Sequence, residues 1–146
     1  MNRKDFIKHC GMTCLGAVIS PAILQSCAGT KYFNAPIEGS ELVIPLSSFE
    51  TVKEGITQYR QYVVAENDLL QFPICVYRLD KDTYKALWMQ CTHQGAELHV
   101  FGDKLQCPAH GSEFTNIGSV QNGPASDPLR TFQITTSDTV LKITLR

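Results

Sequence analysis

The sequence predicts an all-β domain, a small sandwich or barrel of about ten short strands. Short segments rich in Val, Ile, Tyr and Leu recur from residue 41 onward, separated by turn-forming residues. No apolar pattern with the helical period extends beyond two turns after residue 40. The 146 residues amount to one domain. Because 43% of them are hydrophobic and only 18% are charged, disorder and coiled coil are excluded.

The predicted strands follow one another closely along the chain. The longer ones are Leu42–Leu46, Ile56–Val64, Phe72–Leu79 and Tyr84–Gln90. Asp80-Lys81-Asp82 is a plausible hairpin turn between the last two of these. Leu98–Phe101 and Lys104–Gln106 meet across Gly102-Asp103, where a glycine in first position suits a type II′ turn.

The last 16 residues predict two further strands, each with one buried face and one solvent-exposed face. Phe132 and Ile134 alternate with polar residues, and so do Leu141, Ile143 and Leu145.

The chain shows no internal repeat and no second domain. Its formal net charge is −1, from 13 basic and 14 acidic residues, and no basic stripe is present, so nucleic acid is not a predicted partner.

The first 26 residues predict a signal peptide. A basic segment with Arg3, Lys4 and Lys8 precedes 15 uncharged residues, which are too few to span a bilayer. The end of this stretch, Leu24-Gln25-Ser26-Cys27, resembles a bacterial lipobox, which implies cleavage before Cys27 and a lipid on its thiol. An uncleaved membrane anchor is the alternative.

The start of the chain, from Arg3 to Lys8, also resembles a twin-arginine export signal with lysine in place of the second arginine, and Sec export remains open. Residues 27–40, with scattered Gly, Pro and Ser, predict a tether, and residues 41–146 the folded domain. The expected location is the extracytoplasmic, periplasmic face of a bacterial membrane.

Two short motifs carry the chemistry. Cys91-Thr92-His93-Gln94-Gly95 and Cys107-Pro108-Ala109-His110-Gly111-Ser112 each offer one thiolate and one imidazole, followed by a glycine that permits a tight turn. Four such donors could hold one zinc ion tetrahedrally. They could instead divide between the two irons of a [2Fe–2S] cluster.

The two motifs resemble the Rieske signature, C-x-H-x-G and C-P-x-H-G-S. Gly123-Pro124-Ala125 with Pro128-Leu129 is similar to the proline-bearing third loop of many Rieske proteins. The resemblance implies a Rieske-type β fold with an inserted cluster-binding subdomain and a [2Fe–2S] cofactor. It implies that Cys91 and Cys107 bind the inner iron, and that His93 and His110 bind the outer iron. It further implies that the hydroxyl of Ser112 donates to a bridging sulfide.

Three positions depart from the Rieske proteins of respiratory complexes. Those proteins carry an extra cysteine in each motif, whereas this chain has Ala96 and Ala109, so no disulfide can join the loops. Phe114 stands where a tyrosine would donate to a cysteine sulfur. The loss of that donor predicts a reduction potential below the top of the Rieske range.

The expected function is one-electron transfer by an exported, membrane-tethered protein with no catalytic residues of its own. Its partner would be a redox protein such as a soluble cytochrome, or a membrane complex. Alternatives are the Rieske subunit of a quinol-oxidising cytochrome bc-type complex, the small subunit of a molybdenum oxidase similar to arsenite oxidase, and a structural zinc lipoprotein.

No disulfide is predicted: Cys10 and Cys14 are removed with the signal peptide, and Cys75 is expected to be a small core residue. His99 is expected at the surface.

Overall fold

The structure is a computed structural model that describes residue 30 and residues 32–146. The predicted signal peptide and Cys27 lie outside these residues. Within the described part, no helix is long and apolar enough to cross a membrane. The described chain forms 14 strands and one 3-10 helix, Leu46–Phe49. The strands are β1 Tyr32–Asn34, β2 Ile37–Glu38, β3 Glu41–Pro45, β4 Glu50–Lys53, β5 Ile56–Tyr59, β6 Tyr62–Glu66, β7 Ile74–Arg78, β8 Tyr84–Trp88, β9 His99–Phe101, β10 Lys104–Gln106, β11 Glu113–Thr115, β12 Val120–Asn122, β13 Thr131–Thr136 and β14 Val140–Thr144.

The predicted all-β class is confirmed. Eight strands form one sheet in the order β1-β6-β7-β8-β13-β14-β3-β2, and β9 to β12 form a separate four-stranded sheet in the order β12-β11-β10-β9. Because β8 and β13 are neighbours in the large sheet, residues 89–130 are an insertion between two adjacent strands. The expected inserted subdomain is therefore present.

Two hydrophobic cores hold these sheets together. The first core fills the concave side of the large sheet and includes Ile44, Val63, Val76 and Ile143. The second core lies between the large and small sheets, where Cys75, Leu87 and Met89 pack with Leu105 and Phe114. The side chains of a strand alternate between its two faces, so β6 and β7 contribute to both cores and are buried on both sides.

The start of the domain differs from the prediction. The segment 27–40 was expected to be a tether, but β1 pairs in parallel with β6, and β2 pairs with β3. The sheet thus begins at Tyr32 rather than Glu41. A three-residue strand such as Tyr32–Asn34 is too short to show an alternating pattern, and its pairing partner lies about 30 residues away.

The predicted strand Ile56–Val64 is wrong in extent. It consists of β5 and β6, which belong to different sheets, with the N–H of Arg60 donating to Phe49 O at 2.7 Å between them. The remaining predicted strands are present with shifts of one or two residues at their ends. Both predicted hairpins are confirmed, and Gly102 has the positive φ, 62°, that the first position of a type II′ turn requires.

Candidate functional site

The two Cys/His motifs form loops at one end of the inserted subdomain. The first loop, residues 91–97, connects β8 to β9, and the second, residues 107–112, connects β10 to β11. The loops share one hydrogen-bond pattern: Gly95 N donates to Cys91 O (2.8 Å), and Gly111 N donates to Cys107 O (3.0 Å). Both glycines have φ near +80°, at 76° and 80°, which side-chain-bearing residues rarely adopt. In each loop the histidine lies within the turn that this hydrogen bond closes.

The two cysteines of these loops meet in the second core. Each is 2% exposed, and both are free thiols within hydrogen-bonding reach of each other. Burial raises the pKa of the Cys91 thiol. Burial also acts to raise the pKa of Cys107, but the backbone N–H groups of His110 and Ala109, with the Cys91 thiol, outweigh it and lower that pKa. The loops therefore supply donors that stabilise thiolate at an otherwise apolar position.

The two histidines meet on the outer side of the same loops. Their ring centroids are 5.0 Å apart and their planes are perpendicular, with His110 exposed and His93 half-buried. Nδ1 of His93 is buried and has no hydrogen-bond partner. A buried polar atom without a partner is costly, so this nitrogen fits a ligand atom better than a structural one.

The four donors are thus arranged as two pairs, sulfur with sulfur and imidazole with imidazole. Among the described residues, no three His, Cys, Asp or Glu side chains converge on a point that could hold a single metal ion. A tetrahedral zinc site would need that convergence. Two separate pairs fit a cluster with thiolates on one iron and imidazoles on the other.

A third loop, residues 123–130, covers the first two. The N–H of Ala125 donates to Oγ of Ser112 at 3.0 Å, and the hydroxyl of Thr92 donates to the carbonyl oxygen of Asp127 at 2.7 Å. Ser112 is fully buried and its own O–H proton remains free to donate. Sequence reasoning missed Thr92, although its position between Cys91 and His93 was the available signal.

The other residues singled out from the sequence occupy less specialised places. Phe114 is fully buried in the second core, and without a hydroxyl it gives the cysteines no donor. Cys75 is fully buried in the same core, as predicted. His99 is exposed on β9, also as predicted. Ala96 is half-buried and Ala109 is exposed, and all three cysteines in the described residues are free.

A groove of about 540 Å³ opens beside His93. Its walls come from the end of β8, the first loop and the third loop, and it is lined by Trp88, Gln90, Cys91, Thr92, His93, Gln94, Gly95, Asp127 and Arg130. Trp88 Nε1 donates to Gln90 Oε1 at 3.0 Å, which fixes the amide at the edge of the first loop.

Comparison with known proteins agrees with this geometry. The model of the Rieske [2Fe–2S] domain matches residues 49–133, more than half of the chain. The cytochrome b6-f complex iron-sulfur subunit 2 of Nostoc sp. is 27% identical over 105 residues, which are 70% of this chain and 53% of that protein. The corresponding subunit of Chlorobaculum tepidum is 34% identical over 50 residues, 33% of this chain and 28% of that protein. The chain therefore spans about half the length, or less, of these relatives.

Among solved structures, the plasma membrane Rieske protein PetC3 of Synechocystis is similar, with a TM-score of 0.50 and 26% identity over 57% of this chain and 85% of that one. The residues that the family model matches include both Cys/His loops. The chain belongs to the Rieske [2Fe–2S] domain family, whose cofactor is a [2Fe–2S] cluster.

Proposed function

We propose that Cys91 and Cys107 bind the inner iron of the cluster, and that His93 and His110 bind the outer iron. The observation that carries this assignment is the buried, unpartnered Nδ1 of His93, whose ring lies beside the second imidazole in a pair of loops that also hold two free, buried thiols. The two pairs of donors match the two-plus-two ligand set of a Rieske centre.

The cluster would accept and release one electron, and the protein residues would set how readily it does so. Two neutral imidazoles in place of two thiolates make the centre less negative than an all-cysteine one, which favours reduction. The backbone N–H groups of His110 and Ala109 and the hydroxyl of Ser112 would stabilise the added negative charge.

The assignment is tested on anaerobically purified protein by visible and electron paramagnetic resonance spectra with iron and sulfide analysis. We expect two irons and two sulfides per chain and a Rieske-type spectrum on reduction. His110→Cys should keep iron but shift the spectrum toward the all-cysteine type, whereas His99→Cys, on an exposed strand, should leave it unchanged. Colourless protein with stoichiometric zinc would overturn the assignment.

We further propose that the protein works at the extracytoplasmic face of a membrane, attached by a lipid on Cys27. The relatives named above as cytochrome b6-f subunits favour a membrane redox complex as the partner, and a soluble cytochrome is the second candidate. Mass spectrometry of the protein from native membranes should show a diacylglycerol on Cys27.

The partner is tested by co-purification from the same membranes. Recovery of a b-type cytochrome would identify a quinol-oxidising complex, and recovery of a large molybdenum subunit would identify an enzyme similar to arsenite oxidase. A chain that retains residues 1–26 and carries no lipid would contradict the lipid anchor.

A further inference from the structure

Beside the Cys/His loops lie three acidic side chains that form no ion pair with any basic residue in the described part of the chain. This acidic flank consists of Glu66, Asp68 and Glu97, all exposed. Glu66 ends β6, and the loop that follows it returns to β7 beside the start of the first loop, where Met89 N donates to Pro73 O at 3.0 Å. The backbone of Glu97 forms an isolated antiparallel β-bridge with that of Gln90, so Glu97 lies at the other end of the first loop.

The three carboxylates are unpaired in the described part of the chain. The ion pairs there are Lys104 with Glu113 and Lys142 with Glu41. Tyr32 lies close to two members of the flank: burial raises its pKa, and the charges of Glu97 and Glu66 raise it further. A cleft of about 310 Å³ adjoins the flank and contains no basic residue; it is lined by Asn34, Glu66, Asn67, Asp68, Leu70, Phe72 and Pro73.

The same loop presents the most exposed large apolar side chain of the described residues. Leu69 is 82% exposed and lies in the chain between Asp68 and Leu70, which both line the cleft. Its backbone is held in place, since Leu69 N donates to Asn67 Oδ1 at 3.0 Å and Asn67 Nδ2 donates to Ala35 O at 2.9 Å. Leu69 therefore presents an apolar side chain to solvent from a hydrogen-bonded loop, beside unpaired negative charges.

The acidic flank is continuous with the groove beside His93. Phe72 lines the cleft and its ring lies 5.8 Å from that of Trp88, which lines the groove beside His93. The first and second loops carry no Lys, Arg, Asp or Glu between residues 91 and 96 or between 107 and 112. Asp127 and Arg130 line the groove beside His93, where their opposite charges sum to zero, so the net negative charge of this surface lies on the acidic flank.

We propose that this continuous surface docks a redox protein whose cofactor edge is surrounded by lysines and arginines, as in a basic c-type cytochrome. The acidic flank steers the partner, Leu69 supplies an apolar contact, and the electron leaves through the exposed imidazole of His110. Complementary charge mainly raises the rate of association and fades as salt screens it. The inference deepens the proposed function, because it names the partner class of the same site.

The test measures second-order oxidation of the reduced holoprotein by three acceptors: a basic cytochrome c, cationic tris(phenanthroline)cobalt(III) and anionic hexacyanoferrate(III). Each takes one electron from the protein. We expect rates with the two cationic acceptors to fall with ionic strength and the rate with the anion to rise. The double variant Glu66→Gln/Glu97→Gln should slow both cationic acceptors about two- to fourfold at low salt and have no effect at high salt.

Matched variants separate local charge from net charge and from folding. Glu54→Gln/Asp138→Asn removes the same two charges from the β4–β5 and β13–β14 turns, which lie outside the acidic flank, and should leave all three rates unchanged. Leu69→Ser should slow cytochrome c but neither small complex. Equal effects of the two double variants, or rates independent of salt, would overturn the inference. A protein without a cluster would instead contradict the proposed function, which the iron and sulfide analysis reports separately.

Discussion

At the scale of single residues, the site differs from a fully hydrogen-bonded Rieske centre mainly at Phe114. This ring is fully buried beside Cys91 and Cys107, and it offers no donor to either sulfur. Ser112 keeps its place, since its oxygen is held by Ala125 N and its proton is free to donate. Of the two side-chain hydroxyls expected to stabilise the reduced state, one is therefore present.

Phe114→Tyr should raise the reduction potential. A new hydroxyl donor to a cysteine sulfur stabilises the more negative, reduced state by about 1 kcal/mol, which is about 40 mV for one electron. Redox titration followed by electron paramagnetic resonance measures the shift. Phe101→Tyr, on an exposed strand of the same sheet, is the control and should leave the potential unchanged. A lower or unaltered potential in Phe114→Tyr would contradict this account.

At the scale of elements, the contact between the inserted subdomain and the large sheet depends on the turn after β11. Gly118 in this turn has φ of 91°, and a Cβ there would lie 2.9 Å from Leu87 Cδ2 and 3.5 Å from Leu129 Cβ. Gly118 N donates to Thr115 O, and Leu129 N donates to Gly118 O, so the backbone cannot move freely to relieve the clash. The turn joins β8, β11 and the third loop at one point.

Gly118→Ala should lower the free energy of unfolding by about 2–4 kcal/mol, because backbone strain adds to overpacking of the second core. Gly102→Ala is the matched control: its φ is 62°, but a Cβ there meets nothing within 4 Å. It should cost about 1 kcal/mol from strain alone. Denaturant titration of the holoprotein compares the two, and equal losses would show that packing against Leu87 is unimportant.

At the scale of the whole molecule, the two cores differ in their dependence on the cluster. The second core contains Cys91 and Cys107, whereas the first core includes none of the proposed ligands. Strand β14 pairs with both β3 and β13 beside the first core, and the insertion is connected to the large sheet through β8 at one end and β13 at the other. The large sheet therefore has a source of stability that does not involve iron.

Removal of the cluster by acid and chelator should loosen the inserted subdomain and spare much of the large sheet. We expect hydrogen exchange of the apoprotein to lose protection in β9 to β12 and the first and second loops, while β3 and β14 keep theirs. Uniform loss of protection across both sheets would show that the two cores unfold as one unit. The holoprotein under the same conditions provides the reference.

The chemistry of the site could be predicted from the sequence because it is encoded locally. Cys91 with His93, and Cys107 with His110, lie within three residues of each other, and the glycines that follow them set the loop shape. Strands with clear apolar patterns were found for the same reason, as for Leu141 and Ile143 in β14. The change of sheet near Arg60 could not be found, since β-propensity does not report which strand a segment pairs with.

What only the tertiary structure decided is the set of contacts between distant segments. Thr92 meets Asp127 across 35 residues, and β1 pairs with a strand about 30 residues away. The burial of His93 Nδ1 and the convergence of Glu66 with Glu97 near Tyr32 also arise from the packing of the insertion on the large sheet. From the sequence by itself, the spacing of the four donors left zinc and a [2Fe–2S] cluster open, and the resemblance of both short motifs to the Rieske signature implied the cluster. The shape and charge of the docking surface depend on long-range packing, which no local pattern records.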